Sequence, residues 1–212
     1  MTTTYKEHWN KIYANNPITQ LGWYEVVPDP SLQLIEHCEI AKDRLILDVG
    51  SGATTLIPHL LDMGYMNLCA VDLSDVAIDK AKSELKERSN EVQWLVDDIC
   101  DSSEVCKLHD VAIWHDRAVF HFLTAEQQRQ SYLSLLYKVL QPGGYIIIAT
   151  FSLDAVDKCS GLPVQRYSVE KICDCFGKGF NLLENIYYTY QMPGGDLRPY
   201  IYLRLQKTEN RR

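Results

Sequence analysis

Five short stretches carry the side chains that can do chemistry. In Asp48-Val49-Gly50-Ser51-Gly52 an acid is followed at once by two glycines. Glycines let the backbone turn sharply and bring its N–H groups close to a ligand, and an acid at that place suits a cationic ligand group. Asp72 stands twenty residues after Gly52, where a carboxylate can accept hydrogen bonds from both hydroxyls of a ribose, with Leu73 beside it. In Asp97-Asp98-Ile99, Asp98 can accept from an adenine amino group. The Ile99 amide can donate to a ring nitrogen, and its side chain can pack on the ring face; a plain acidic loop is the alternative. In His115-Asp116-Arg117, His115 is a candidate base because histidine as a residue type serves that role near neutral pH, while Arg117 could hold an acidic acceptor or simply pair with a carboxylate. Trp23-Tyr24 could wall an acceptor site or belong to the core.

These stretches fall at the ends of elements. Leu45-Ile46-Leu47 reads as a buried strand because its apolar run stops abruptly in turn residues, and Thr54 to Met63 reads as the helix that follows. Asn67 to Val71, Val92 to Val96, Asp110 to Trp114 and Tyr145 to Phe151 are the next strands, ending near Asp72, Asp98, His115 and Ser152. Helices are expected from Ser31 (as N-cap) to about Cys38, from Asp75 (capped by Ser74) to about Arg88, from Ala125 (capped by Thr124) to Leu140, and from Ser168 to about Phe176. Phe180 to Tyr190 and Pro199 to Leu205 flank Pro193-Gly194-Gly195 as a hairpin. Ser152 to Tyr167 is long for a connection, which favours a functional loop with acceptor contacts from Lys158 to Arg166. Ahead of the first strand, Tyr5 to Asn15 is a short helix with Trp9 and Tyr13 on one face; it is either a lid or a packed anchor. The expected organisation is one domain over 1–212, with 1–30 lid-like and 31–206 the core.

The composition narrows the function classes. With 28 acids against 21 bases the net charge is −7, which argues against a broad nucleic-acid-binding surface. No apolar run is long enough for a membrane span, and the N-terminus lacks the form of a secretory signal, so a cytoplasmic protein is expected. The seven cysteines form no C-x-x-C pair, so no metal site is expected and the thiols read as small half-buried apolar groups.

A dinucleotide fingerprint would need a third glycine where Thr55 stands. Asp48-x-Gly50-x-Gly52 instead resembles motif I of class I S-adenosylmethionine-dependent methyltransferases, and Asp72, Asp98 and the Leu140-Gln141-Pro142-Gly143-Gly144 turn extend that resemblance over residues 31–206. It implies an α/β fold with a doubly wound, mostly parallel seven-stranded sheet, ordered 3-2-1-4-5-7-6 with one antiparallel strand. It also implies S-adenosylmethionine as cofactor and S-adenosylhomocysteine as product. Asp48, Gly50, Ser51, Gly52, Asp72, Leu73, Asp98, Ile99 and His115 would then bind the cofactor. His115, Asp116 and Arg117 would lie at the reacting methyl group, with Trp23, Tyr24 and Arg117 against the acceptor.

Two subfamilies come closer. Thiopurine and thiol methyltransferases carry an Asp-Arg-Gly-Ala-type stretch that Asp116-Arg117-Ala118 resembles, without the glycine. Protein-lysine methyltransferases acting on elongation factor and citrate synthase share a Trp-x-x-x-Tyr start, here Trp9 and Tyr13, and a later tryptophan-aromatic pair. The run from Trp114 to Leu123 and Cys159-Ser160-Gly161-Leu162-Pro163 is similar to uncharacterised bacterial methyltransferases. The Asn/Asp-Pro-Pro-aromatic motif of enzymes that methylate exocyclic or amide nitrogens does not follow the fourth strand. The resulting expectation is methyl transfer to sulfur or nitrogen of a small molecule, by a monomer or dimer. A protein lysine is the alternative acceptor, and a non-catalytic cofactor-binding protein the alternative class.

Overall fold

The computed structural model describes residues 4–53 and 55–208. Thr54, the expected first residue of the third helix, and Met1 to Thr3 lie outside the described residues. The chain opens with helix α1 (Tyr5–Asn15), set by a reciprocal cap: the Glu7 amide donates to Thr4 Oγ1 and the Thr4 amide to Glu7 Oε2. Helix α2 covers Asp29–Glu36 and starts earlier than expected. Pro28 and Pro30 do not break the chain but begin the helix, since the first turn needs no N–H from them. Ser31 is therefore not a cap; it sits in the first turn, fully buried.

Five strands and three helices follow: β1 (Ile46–Val49), α3 (Leu56–Asp62), β2 (Leu68–Asp72), α4 (Asp75–Leu85), β3 (Val92–Val96), β4 (Val111–Arg117), α5 (Glu126–Val139) and β5 (Leu140–Phe151), with no α-helix between β3 and β4 among the described residues. A two-residue hairpin, β6 (Lys158–Cys159) with β7 (Leu162–Pro163), lies in the connection to α6 (Val169–Phe176). Strands β8 (Phe180–Gln191) and β9 (Leu197–Lys207) complete the sheet. Its order is β3-β2-β1-β4-β5-β9-β8. Only β9 runs against the others, pairing antiparallel with both β5 and β8. With the small hairpin left out of the count, this is the expected 3-2-1-4-5-7-6.

Ser74 and Ser168 cap α4 and α6 through their hydroxyls, as expected. Thr124 does not cap α5. Ala125 holds that place, and the Gln128 side chain accepts from its amide.

The sheet is buried on both faces, as a mostly parallel sheet must be. Helices α5 and α6 cover one face through Tyr132, Leu136, Ile172 and Phe176, and α2 and α3 cover the other through Leu34, Ile35, Leu56 and Leu60. The correction that matters most for the site is in β4, which runs on through Arg117 instead of stopping at Trp114. Side chains alternate along a strand. His115 and Arg117 therefore join the α2–α3 face, and Asp116 is turned to the α5 face.

Candidate active site

The carboxyl ends of β1, β2, β3 and β4 meet at one cleft, the place where open α/β sheets bind ligands. Motif I makes its floor. Gly50 and Gly52 have φ of +62° and +58°, a left-handed conformation that costs side-chain-bearing residues about 1–2 kcal/mol. A Cβ on Gly50 would collide with the Val119 side chain, and one on Gly52 with the Tyr13 hydroxyl. The loop is locked from behind: the Ser51 amide donates to the Val71 carbonyl (2.9 Å) and the Gly52 amide to Asp72 Oδ2 (2.8 Å).

Each strand end then presents an acid. Asp48 is buried. Its Oδ1 pairs with His115 Nδ1 at 2.7 Å, and its Oδ2 has no hydrogen-bond partner among the described residues. Ser51 Oγ is likewise buried and unpartnered. Asp72 holds the Ser74 amide on Oδ1 (2.7 Å), and burial pushes its carboxyl up to about 6. Each of its oxygens keeps a second acceptor position. Asp97 and Asp98 part company. Asp97 accepts from the Ser102 hydroxyl and from the amides of Ser103, Glu104 and Val105, which fixes the loop. Asp98 is exposed and, with Leu73 and Ile99, lines the cleft.

The other end of the cleft is aromatic. Trp9, Tyr13, Trp23 and Phe122 line it. Trp9 meets Trp23 edge-on at 5.6 Å and Phe122 at 5.2 Å, and Tyr13 meets Trp23 at 5.9 Å. Helix α1 is held over the site by Asn10, whose side chain donates to Asp75 Oδ1 (2.6 Å) and accepts from the Ser74 hydroxyl (2.6 Å). Lys80 reaches up to the carbonyls of Tyr13 and Asn16. Tyr24 sits one cavity deeper, beside Glu25.

The structure revises the trio after the fourth strand. His115 is buried with both ring nitrogens engaged, Nδ1 by Asp48 and Nε2 by Ser31 Oγ at 2.9 Å. It has no free nitrogen with which to take an acceptor's proton. Asp116 lines neither cavity. Its carboxylate accepts from the amides of Val119 and Phe120 and from the Tyr132 hydroxyl (2.8 Å), which itself accepts from Trp114 Nε1. Asp116 is thus a buried structural acid, its carboxyl also raised to about 6 by burial. Arg117 is half-buried against Glu25, with Nε to Oε2 at 3.1 Å, and lines both cavities. In the connection after β5, Cys159 lines the cleft, while Arg166 turns inward to the carbonyls of Leu153 and Ala155.

Several contributors escape a reading by motif: Trp9, Tyr13 and Phe122 on the aromatic walls, and Glu25 and Ser31 behind motif I. The four-residue spacing of Trp9 and Tyr13 was a signal; Glu25 and Ser31 had none.

Residues 46–144 match the family model described as a methyltransferase domain. The chain is 23% identical to the EEF1A lysine methyltransferase 2 of Mus musculus, over 85% of this chain and 73% of that one. Its fold is that of an S-adenosylmethionine-dependent methyltransferase from Anabaena variabilis (TM-score 0.77, 14% identity, 96% and 93% of the two chains covered). It is also that of the N-methyltransferase NodS from Bradyrhizobium japonicum bound to S-adenosylhomocysteine (TM-score 0.72, 16% identity, 96% and 98% covered). The site fits such a cofactor on its own terms: an unpartnered buried acid oxygen for an ammonium group, a glycine loop with no room for side chains, and acids at the next two strand ends. When bound, S-adenosylmethionine supplies an activated methyl group, so the protein has chiefly to align a nucleophile and exclude water. Sheet order, motif placement and the matched segment together give this chain a methyltransferase domain over residues 46–144 and the fold of S-adenosylmethionine-dependent methyltransferases.

Proposed function

We propose that the chain methylates the nitrogen of a small amine held between Trp9, Trp23 and Phe122. The observation that carries this reading is the chemistry of the acceptor end, an aromatic enclosure with neither a free base nor a free cation among the described residues. Ring faces attract an ammonium group. Desolvation between them favours the neutral amine, which is the nucleophilic form, so no dedicated base is needed once the proton has left to solvent. A thiolate is served less well. It wants a positive environment, and the charge of Arg117, the cation that lines the cleft, is offset by Glu25 at 3.1 Å. Trp23 bounds the acceptor, and Asp48, Gly50, Ser51, Gly52, Asp72, Leu73, Asp98 and Ile99 hold the cofactor. His115 acts by fixing Asp48. The free thiols and acidic surface suit a cytoplasmic enzyme without nucleic-acid substrates.

A protein lysine is the second reading, favoured by the relationship to EEF1A lysine methyltransferase 2. Its ε-amino group presents the same chemistry to the same walls. The two readings differ in what carries the amine: a free molecule in one, a lysine side chain presented by a protein surface in the other. Transfer of labelled methyl from S-adenosylmethionine to panels of small amines, thiols and candidate proteins separates them. Methylation of amines supports the first reading, and mass spectrometric detection of methyl-lysine with inert small amines replaces it by the second. Turnover confined to thiols overturns both.

A further inference from the structure

Behind motif I lies a second, smaller cavity whose polar atoms do not satisfy one another. Four buried side-chain atoms around it have no hydrogen-bond partner among the described residues: Glu25 Oε1, Asp48 Oδ2, Ser51 Oγ and Arg117 Nη2. Leaving a buried polar group unpaired costs about 1–3 kcal/mol, more when it is charged, so four together point to a missing partner. The charges restrict what that partner is. A simple cation has no use for Arg117, and a simple anion is opposed by Glu25 and Asp48. A zwitterion with an ammonium and a carboxylate a few bonds apart satisfies all four.

The rest of the surroundings holds these groups still. Ser31 Oγ meets His115 Nε2 at 2.9 Å, and His115 Nδ1 meets Asp48 Oδ1 at 2.7 Å, which aims the other oxygen of Asp48 at the cavity. Arg117 is fixed on three sides. Its Nε contacts Glu25 Oε2 (3.1 Å) and the Tyr202 hydroxyl (3.0 Å), and its Nη1 donates to the Trp23 carbonyl (3.0 Å). Its guanidinium lies over the Tyr190 and Tyr200 rings at 5.3 and 5.1 Å. Only Nη2 is left over. Gly50, Trp23 and Arg117 line both cavities, so the small one opens into the cofactor cleft.

We propose that Glu25 and Arg117 complete the subsite for the α-amino and α-carboxylate groups of the cofactor's methionine end, Arg117 and Ser51 holding the carboxylate while Glu25 and Asp48 hold the ammonium. Arg117 is then a cofactor residue and not an anchor for an acidic acceptor. Glu25 comes from the segment that follows α1, so filling the subsite also fastens that segment to the sheet. The inference rests on the cofactor and is independent of which acceptor is methylated.

The test compares two ligands by calorimetry. S-adenosylhomocysteine carries the amino-acid end; 5′-methylthioadenosine keeps the adenosine and the sulfur but lacks it. Arg117→Met is expected to weaken S-adenosylhomocysteine at least tenfold and the isosteric Glu25→Gln about fivefold, each leaving 5′-methylthioadenosine within twofold of wild type. The second ligand thus reports on folding of the variant. Equal losses for both ligands in both variants, or unchanged affinity for S-adenosylhomocysteine, overturn the assignment.

Discussion

The two ends of the cleft are built on opposite plans. The cofactor end is polar and rigid: Asp48, Asp72 and Asp98 stand at the tips of three neighbouring strands, and backbone amides lock the loops between them. The acceptor end is aromatic and assembled from three separate segments: α1 gives Trp9 and Tyr13, the next gives Trp23, and the turn after β4 gives Phe122. A shared cofactor can be read by fixed strand ends. An acceptor is read by walls that a different chain could replace without touching the sheet.

The contrast breaks most easily at Asp72. Asp72→Ala removes the buried acid proposed to accept from two ribose hydroxyls and frees the amides of Gly52 and Ser74. Hydrogen bonds to a charged group are worth about 1.5–3 kcal/mol, so S-adenosylhomocysteine should bind about 100-fold more weakly by calorimetry. Unchanged affinity would place the nucleoside elsewhere.

The same residue gives a pH signature. Burial raises its carboxyl from 3.8 to about 6, and ribose hydroxyls need the ionised form. Cofactor affinity should therefore be flat above pH 7 and about tenfold lower at pH 5, with the slope gone in Asp72→Asn. Stability of the free protein moves the other way. The native state binds the Asp72 proton more tightly than the unfolded chain does, so this contribution is complete below about pH 4. It is lost as pH rises to about 6, as is that of Asp116, whose carboxyl is raised equally. Binding that tracks stability across that window would remove Asp72 as its cause.

At the acceptor end the expected effects are smaller and fall on a different quantity. Trp23→Ala removes one ring that an amine would face, a contact worth on the order of 1–2 kcal/mol when desolvated. The KM for the acceptor should rise roughly tenfold, with S-adenosylhomocysteine affinity within threefold of wild type. Equal losses on both would mean that the two ends are one site.

The difference between the ends also explains what could be read in advance. The α/β order and the acids at strand ends are legible because each is local: an apolar run, a turn and an acid within a few residues; the strand order is not local and came only with the family resemblance. Asp98 could be told from Asp97 by the isoleucine beside it, and the Ser102 hydroxyl and Ser103 to Val105 amides that occupy Asp97 follow soon after in the chain. The trio at His115 was misjudged because the strand was ended three residues early; alternation then sends Asp116 to the far face. Ser31 was read as a cap because a serine after a proline reads locally as a helix start, and its contact with His115 spans 84 residues. Glu25 and Arg117 likewise meet only in the folded chain, across ninety-odd positions.

Ala118 stands where the two ends meet. It lines the cleft directly after Arg117 and carries φ of +68°, in the region that favours glycine. This is the very place where the Asp-Arg-Gly-Ala pattern has its glycine. An alanine there costs about 1–2 kcal/mol, while glycine would give back about 0.4–1 kcal/mol to the freedom of the unfolded chain. Ala118→Gly should then stabilise the protein by on the order of 0.5–1 kcal/mol, a melting temperature higher by about 1–4 °C at this size. A scanning calorimetric trace with and without S-adenosylhomocysteine checks it. An equal rise in both leaves the strain unconnected to the cofactor. A rise only in the free protein means that the cofactor-bound form relieves the strain itself, so the turn moves when the cleft fills. A fall in both means that the alanine methyl, partly buried against the α2–α3 side of the core, is worth more than the backbone strain it imposes.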